Sequence, residues 1–161
     1  MKVSAINWDK WKPTEDAVIT YIKKEDKVLL IHKKTGLGAG KVNAPGGHIE
    51  DGETALQAAV RETTEEVGLI TENLKYSGEL YFHFIDGLRL KGTVYLCSDF
   101  RGELIETDEA LPFWCSIDEI PWEKMWEDDI HWLPRALEGE TFRGRFIFEN
   151  ETMLDMDIEF D

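Results

Sequence analysis

Residues 47–69, GHIEDGETALQAAVRETTEEVGL, limit what this chain can fold into more than any other stretch. Ala55, Leu56, Ala59, Val60, Thr63 and Val67 recur at helical spacing, and Gly68 stands where a C-cap is expected. Glu62, Glu65 and Glu66 fall on the other side of the same helix, with Arg61 beside them. Steps of three and four residues return close to the same azimuth, so the three carboxylates share one face. Such a helix lays its apolar stripe on a core and leaves its acidic face to water or a cation. Repulsion between exposed like charges at this spacing is only about 0.2–0.5 kcal/mol per pair. The pattern alone therefore admits both a solvated face and a metal site.

The flanking sequence supplies strands. AVITYIKK (17–24) and KVLLIHKK (27–34) read as two strands joined at Glu25-Asp26, and TGLGAGKVNAPGG (35–47) reads as a loop. LKYSGELYFHFI (74–85) and LRLKGTVYLCSDF (88–100) read as strands around Asp86-Gly87, a strong hairpin signal. FWCSIDEI (113–120) is a further short strand, and GRFIFEN with TMLDMDIEF makes a closing hairpin. Asp129 to Leu137 reads as a second helix, with Pro134 tolerable near its first turn. Mixed strands with two helices indicate α/β or α+β architecture. No repeat, low-complexity segment or linker interrupts the chain, and 161 residues suit one domain over 1–161, with 1–13 as an N-terminal arm.

The formal net charge of −15 narrows the partners. Extended contact with a nucleic-acid backbone requires several Lys or Arg on phosphates, which such a field disfavours. A small anionic ligand whose charge is carried by divalent cations escapes that objection. The apolar runs are too short to span a bilayer, and MKVSAINWDKWKP at the start lacks the apolar stretch of a secretory signal. No membrane association and a cytoplasmic location are expected. Cys97 and Cys115 lie in apolar stretches and are expected to be buried free thiols.

The surroundings of the acidic face favour a metal. Gly46-Gly47 gives a close backbone approach just upstream, and Arg61 can reach back to Glu53 as a structural ion pair. Dense hard-oxygen ligands suit Mg²⁺ or Mn²⁺. At about 4 Å and an effective dielectric near 20, two charges interact by ~4 kcal/mol, so three carboxylates in a partly dry cleft demand a cation.

The same residues resemble the Nudix box, G-x5-E-x7-R-E-U-x-E-E-x-G-U with U apolar. Gly47, Glu53, Arg61, Glu62, Glu65, Glu66, Gly68 and Leu69 fall on its positions, while Thr63 departs mildly at an apolar one. With residue types at roughly 5–7% abundance, seven fixed matches arise by chance on the order of 10⁻⁸ per window.

The resemblance implies an α/β/α sandwich around a mixed β-sheet, and hydrolysis of a nucleoside diphosphate linked to a further group. Carried over by position, Glu62, Glu65 and Glu66 would hold Mg²⁺ (or Mn²⁺), with the Gly46 carbonyl as a further ligand. One of these glutamates, or a loop acid such as Glu109 that could also join the ligands, would orient or deprotonate the attacking water. Similarity to the MutT branch, which holds the mammalian oxidised-purine nucleoside triphosphatases, runs through GLGAGKVN (36–43), residues 107–134 and the closing hairpin.

That similarity implies a base pocket from Asn43, Trp126, Asp128 and Asp129. An indole can stack on a purine, Asn offers donor and acceptor, and a carboxylate accepts from N1–H and an exocyclic amine. Two adjacent carboxyls share their titration, so one can stay protonated and donate. By themselves the residues also admit helix-start acids that cap N–H groups, and tryptophans (Trp122, Trp126, Trp132) that only pack. Ala44-Pro45 and Leu37 depart from the branch pattern beside the pocket. Lys33, Lys34 and Lys41 are candidates for holding phosphates or are solvated lysines; His83 is structural or pocket-lining, and His48 carries no assignment.

The expected activity is Mg²⁺-dependent hydrolysis of a purine (deoxy)nucleoside triphosphate, 8-oxo-dGTP included, to monophosphate and pyrophosphate. One alternative applies the same chemistry to the 5′ end of triphosphorylated RNA. A nucleotide sensor without turnover is the alternative from another class, and the full set Glu62, Glu65 and Glu66 counts against it.

Overall fold

The computed structural model describes residues 1–161. β1 (Glu15–Lys24) and β2 (Lys27–Lys33) form the first hairpin, with Glu25 at φ 58 in its turn. The stretch read as a continuous loop contains two short strands, β3 (Val42–Asn43) and β4 (Gly46–His48). They exist because distant partners pair with them, Ile31 opposite Asn43 and Ile19 opposite Gly46, which no local pattern signals. α1 (Ala55–Val67) follows as expected. Thr54 accepts from the Gln57 N–H, Gln57 Oε1 accepts from the Thr54 N–H, and Gly68 closes the helix at φ 85. These three residues satisfy helix-end groups that would otherwise lose hydrogen bonds.

β5 (Ile70–Glu72) leads into the hairpin of β6 (Lys75–Phe84) and β7 (Arg89–Cys97), which turns at Asp86-Gly87. β8 (Asp99–Arg101) pairs with β5 apart from the main sheet. β9 (Ala110–Ser116), α2 (Asp129–Leu137), β10 (Phe142–Glu149) and β11 (Thr152–Phe160) complete the chain. Pro134 lies in the second turn of α2, one turn later than the position at which proline is well tolerated.

The main sheet runs β11-β10-β6-β7-β1-β2-β3, with β4 on β1 and β9 on β2. It is mixed: β1 with β7 and β6 with β10 are parallel, and the other pairs are antiparallel. Alternation along the strands divides its faces. Val18 and Ile22 of β1 and Leu29 and Ile31 of β2 pack with Ala58, Ala59 and Val67 of α1. Tyr21, Val28 and Leu30 face the opposite way, into a core shared with Trp132, Leu133 and Ala136 of α2 and Phe146 and Phe148 of β10. The result is the α/β/α layering expected. Cys97 and Cys115 are buried free thiols. No helix is long and apolar enough to cross a membrane.

Candidate active site

A cleft of about 700 Å³ opens between the ends of α1 and α2. At one end α1 presents its acids. Oxygens of Glu62, Glu66 and Glu109 lie within 4.8 Å of one another. Glu66 is buried, accepts from the Gly46 N–H at 3.2 Å, and its carboxyl is pushed up to about 7, chiefly by burial; the Glu109 and Glu62 charges raise it further, while the Gly46 hydrogen bond and Lys33 oppose the shift. Burial also raises the Glu62 carboxyl from its ordinary value, against the pull of Arg61. A Cβ on Gly47 would sit 2.4 Å from the Glu62 carboxyl carbon, so glycine there lets the carboxylate lie against the backbone.

Arg61 uses all five guanidinium donors. Nε and Nη2 grip Glu53 at 2.7 and 2.9 Å, Nη1 reaches Glu62 at 2.7 Å and Glu65 at 3.0 Å, and Nη2 also donates to the His48 carbonyl. The expected Arg61–Glu53 ion pair is thus present, and it holds the Glu53 carboxyl down to about 2. Glu65 is placed apart from the acidic group: it is 59% exposed and turned to Arg61. Glu109, reached from β9, takes the third place beside Glu62 and Glu66.

At the other end Asn43, Trp126, Asp128 and Asp129 all line the cleft. Asp128 stands at the N-cap of α2 without a side-chain capping bond. Its Oδ2 instead accepts from Trp132 Nε1 at 2.9 Å, while Asp128 Oδ1 and Asp129 Oδ2 are buried and unpartnered. The capping reading of these acids therefore fails. Burial raises both carboxyls, and the Asp128 charge raises Asp129 further. Trp126 stands edge-on to Phe84 and Phe148, and Gly38 at φ 81 leaves room for it, since a Cβ there would come within 2.7 Å of Nε1.

A family model for the NUDIX domain matches residues 13–136. The chain belongs to the Nudix family. This Nudix hydrolase is 39% identical over 137 residues to the oxidized purine nucleoside triphosphate hydrolase of Danio rerio, covering 84% of this chain and 88% of that protein. It is 34% identical over 134 residues to the protein of the same name from Mus musculus, covering 83% and 86%. The MutT protein of Bacillus halodurans shares its fold, with a TM-score of 0.80 at 22% identity over 90% of this chain and 97% of that one. The MutT NUDIX hydrolase of Burkholderia pseudomallei follows at 0.67 and 27% identity, over 80% and 98%.

Nudix hydrolases use divalent metals, and the donor set here fits one: hard carboxylate oxygens, close together, one of them buried and short of positive charge. Of the three candidate lysines only Lys33 lines the cleft. Lys34 is bonded to Glu106 and Thr107, and Lys41 pairs with Glu151 at 3.0 Å while lying 5.3 Å over Trp126. His48 bonds Glu15 at the cleft mouth. His83 accepts from Trp11 Nε1 at 3.1 Å on the far face of the sheet and is structural. The apolar wall formed by Leu80, Phe82, Phe84 and Leu90 was not anticipated, although period-two alternation in ELYFHF already puts the first three on one face. Thr63, the departure from the Nudix pattern, is buried and donates its hydroxyl to Ala59 O at 2.8 Å, so it packs without an orphaned polar group.

Proposed function

We propose that this Nudix hydrolase is a Mg²⁺-dependent pyrophosphohydrolase of purine (deoxy)nucleoside triphosphates, 8-oxo-dGTP among them, releasing monophosphate and pyrophosphate in the cytoplasm, with the whole chain acting as one domain. The observation that carries this reading is the single cleft that joins an acidic group at one end to two buried, unpartnered carboxyl oxygens at the other. The names of the fish and mouse relatives support the substrate class.

Glu62, Glu66 and Glu109, with the Gly46 carbonyl, would hold the ion; Glu65 joins them by leaving Arg61. Mg²⁺, when bound, neutralises phosphoryl oxygens and acidifies water. Arg61 and Glu53 keep Glu62 in place. Lys33 binds the phosphate chain from the cleft wall. Glu109, whose carboxylate makes no hydrogen bond within the chain, takes the proton of the attacking water. At the far end Trp126 stacks on the purine, Asn43 pairs with its edge, and the Asp128–Asp129 pair presents one acceptor and, from its retained proton, one donor.

The test is kcat/KM with Mg²⁺ on 8-oxo-dGTP, dGTP, GTP, dCTP and a 5′-triphosphate RNA oligonucleotide, with Glu66→Gln as control. The expected result is a preference for 8-oxo-dGTP of about tenfold or more, one hydrogen bond's worth of discrimination, and loss of most turnover in Glu66→Gln. Faster turnover of the RNA end, or nucleotide binding with no turnover at all, would overturn the reading.

A further inference from the structure

On the face of the sheet turned away from the cleft, the N-terminal arm and the sheet enclose a second pocket of about 330 Å³. Tyr81, Lys91, Arg143 and Arg145 point into it, while their neighbours Leu80, Phe82 and Leu90 line the cleft on the other side. Trp8 and Trp11 form the outer wall, 5.5 Å apart, with Trp11 edge-on to Tyr81 at 5.6 Å. Both indole N–H groups are used inside the chain, by the Val3 carbonyl and by His83 Nδ1, so the arm offers ring surface rather than donors.

The cations are the reverse. Arg145 is only 20% exposed, yet its nearest carboxylates, Asp157 and Glu159, stand at 3.5 and 3.6 Å from Nη1 and are themselves 52% and 62% exposed. Arg143 comes no closer than 4.0 Å to Glu79, whose carboxylate already accepts from Tyr81. Lys91, half-buried, forms no ion pair. A half-buried guanidinium without a hydrogen bond is costly, and two oxygens of a phosphate satisfy its planar fork bidentately. In a chain of net charge −15, three cations gather around one aromatic pocket: Arg145 and Lys91 are half-buried, Arg143 is exposed, and the Arg145 guanidinium lies 5.8 Å over the Trp8 ring. Asp9 is the one lining acid.

We propose that this pocket is a second, non-catalytic site for a nucleoside monophosphate, with the phosphate on Arg145, Arg143 and Lys91 and the base against Trp8, Trp11 and Tyr81. The site is separate from the cleft and does not depend on which triphosphate the cleft hydrolyses. The volume is at the lower end for small-ligand pockets, and the paired requirement for ring and phosphate excludes bare anions and bare bases as best ligands.

The test is an indole N–H NMR titration of the full-length protein in chelator, which leaves the cleft without its cation. The probes are GMP, guanosine and inorganic phosphate, and Trp8 and Trp11 are assigned through Trp→Phe variants. GMP is expected to shift both resonances saturably, with guanosine and phosphate each weaker by roughly tenfold or more, and Arg145→Met to weaken GMP by a similar factor, the loss of one charge-assisted hydrogen bond. Should Arg145→Met not fold, Lys91→Met is the equivalent probe. Neither variant alters kcat at saturating substrate. Unmoved Trp8 and Trp11 resonances, equal response in wild type and variant, or phosphate as effective as GMP would each overturn the assignment.

Discussion

At the scale of single residues, the site is a set of carboxyls given different work by their surroundings. Asp129 shows the cost of one environment. Its carboxyl is raised well above the ordinary 3.8 by burial and by Asp128, so folding takes up a proton at pH values between the ordinary and the raised one. The stability this group contributes is complete below about pH 4 and is lost as pH rises through the folded value. Asparagine has no such titration. The melting temperature of Asp129→Asn relative to wild type is therefore expected to become steadily more favourable as pH rises above about 4, while purine turnover collapses. A pH-independent difference in melting would show that the carboxyl is not raised. Glu53 behaves oppositely, since Arg61 holds it down to about 2 from 4.5. Its contribution is present above 4.5 and lost as pH falls toward 2, so Glu53→Gln should be destabilised at neutral pH and indistinguishable from wild type near pH 2 in the same melting series.

Individual elements differ in how much of them can be read locally. α1 was legible from Ala55 to Gly68 because stripe and C-cap lie within one stretch, and the Arg61–Glu53 pair is only eight residues apart. The ligand group was legible in part. Three glutamates on one helical face are visible in sequence, but which oxygens meet depends on tertiary placement, and Glu109 arrives through pairing of β9 with β2, Ala110 opposite Lys33. β3 and β4 were illegible for the same reason. The cap of α1 and the backbone against its acidic face should then separate stability from activity. Removing the cap in Thr54→Ala is expected to cost about 1 kcal/mol in denaturant unfolding and leave kcat/KM unchanged. Gly47→Ala moves the Glu62 carboxylate and should lower kcat/KM by about 10²-fold, the usual penalty for a misplacement near 1 Å. A Gly47→Ala enzyme of normal rate would show that Glu62 does not need its place against the backbone.

For the whole molecule, the arm and the sheet edge matter most. Residues 1–13 gave no sequence signal beyond their tryptophans, yet the Val3 N–H donates to Asp155 at 2.7 Å and Trp11 to His83, both across more than 70 positions of chain. Deleting residues 2–12 is expected to lower stability by about 1–3 kcal/mol, two lost hydrogen bonds and the exposed ring surface, with kcat on nucleotide retained. Loss of turnover in a well-folded truncation would tie the arm to catalysis.

The parallel pairing of β6 with β10 has a consequence for the order in which a nascent chain becomes competent. Phe82 and Phe84, a wall of the cleft, rest on Phe146 and Phe148, and α2 packs on the same strand. The acidic end needs residues up to the end of β9 at Ser116, whose pairing with β2 places Glu109, whereas the end facing the base closes after residue 148 has left the ribosome. Such long-range pairings form late. For part of its synthesis the chain would hold its carboxylates in place with nothing yet to tell one nucleotide from another.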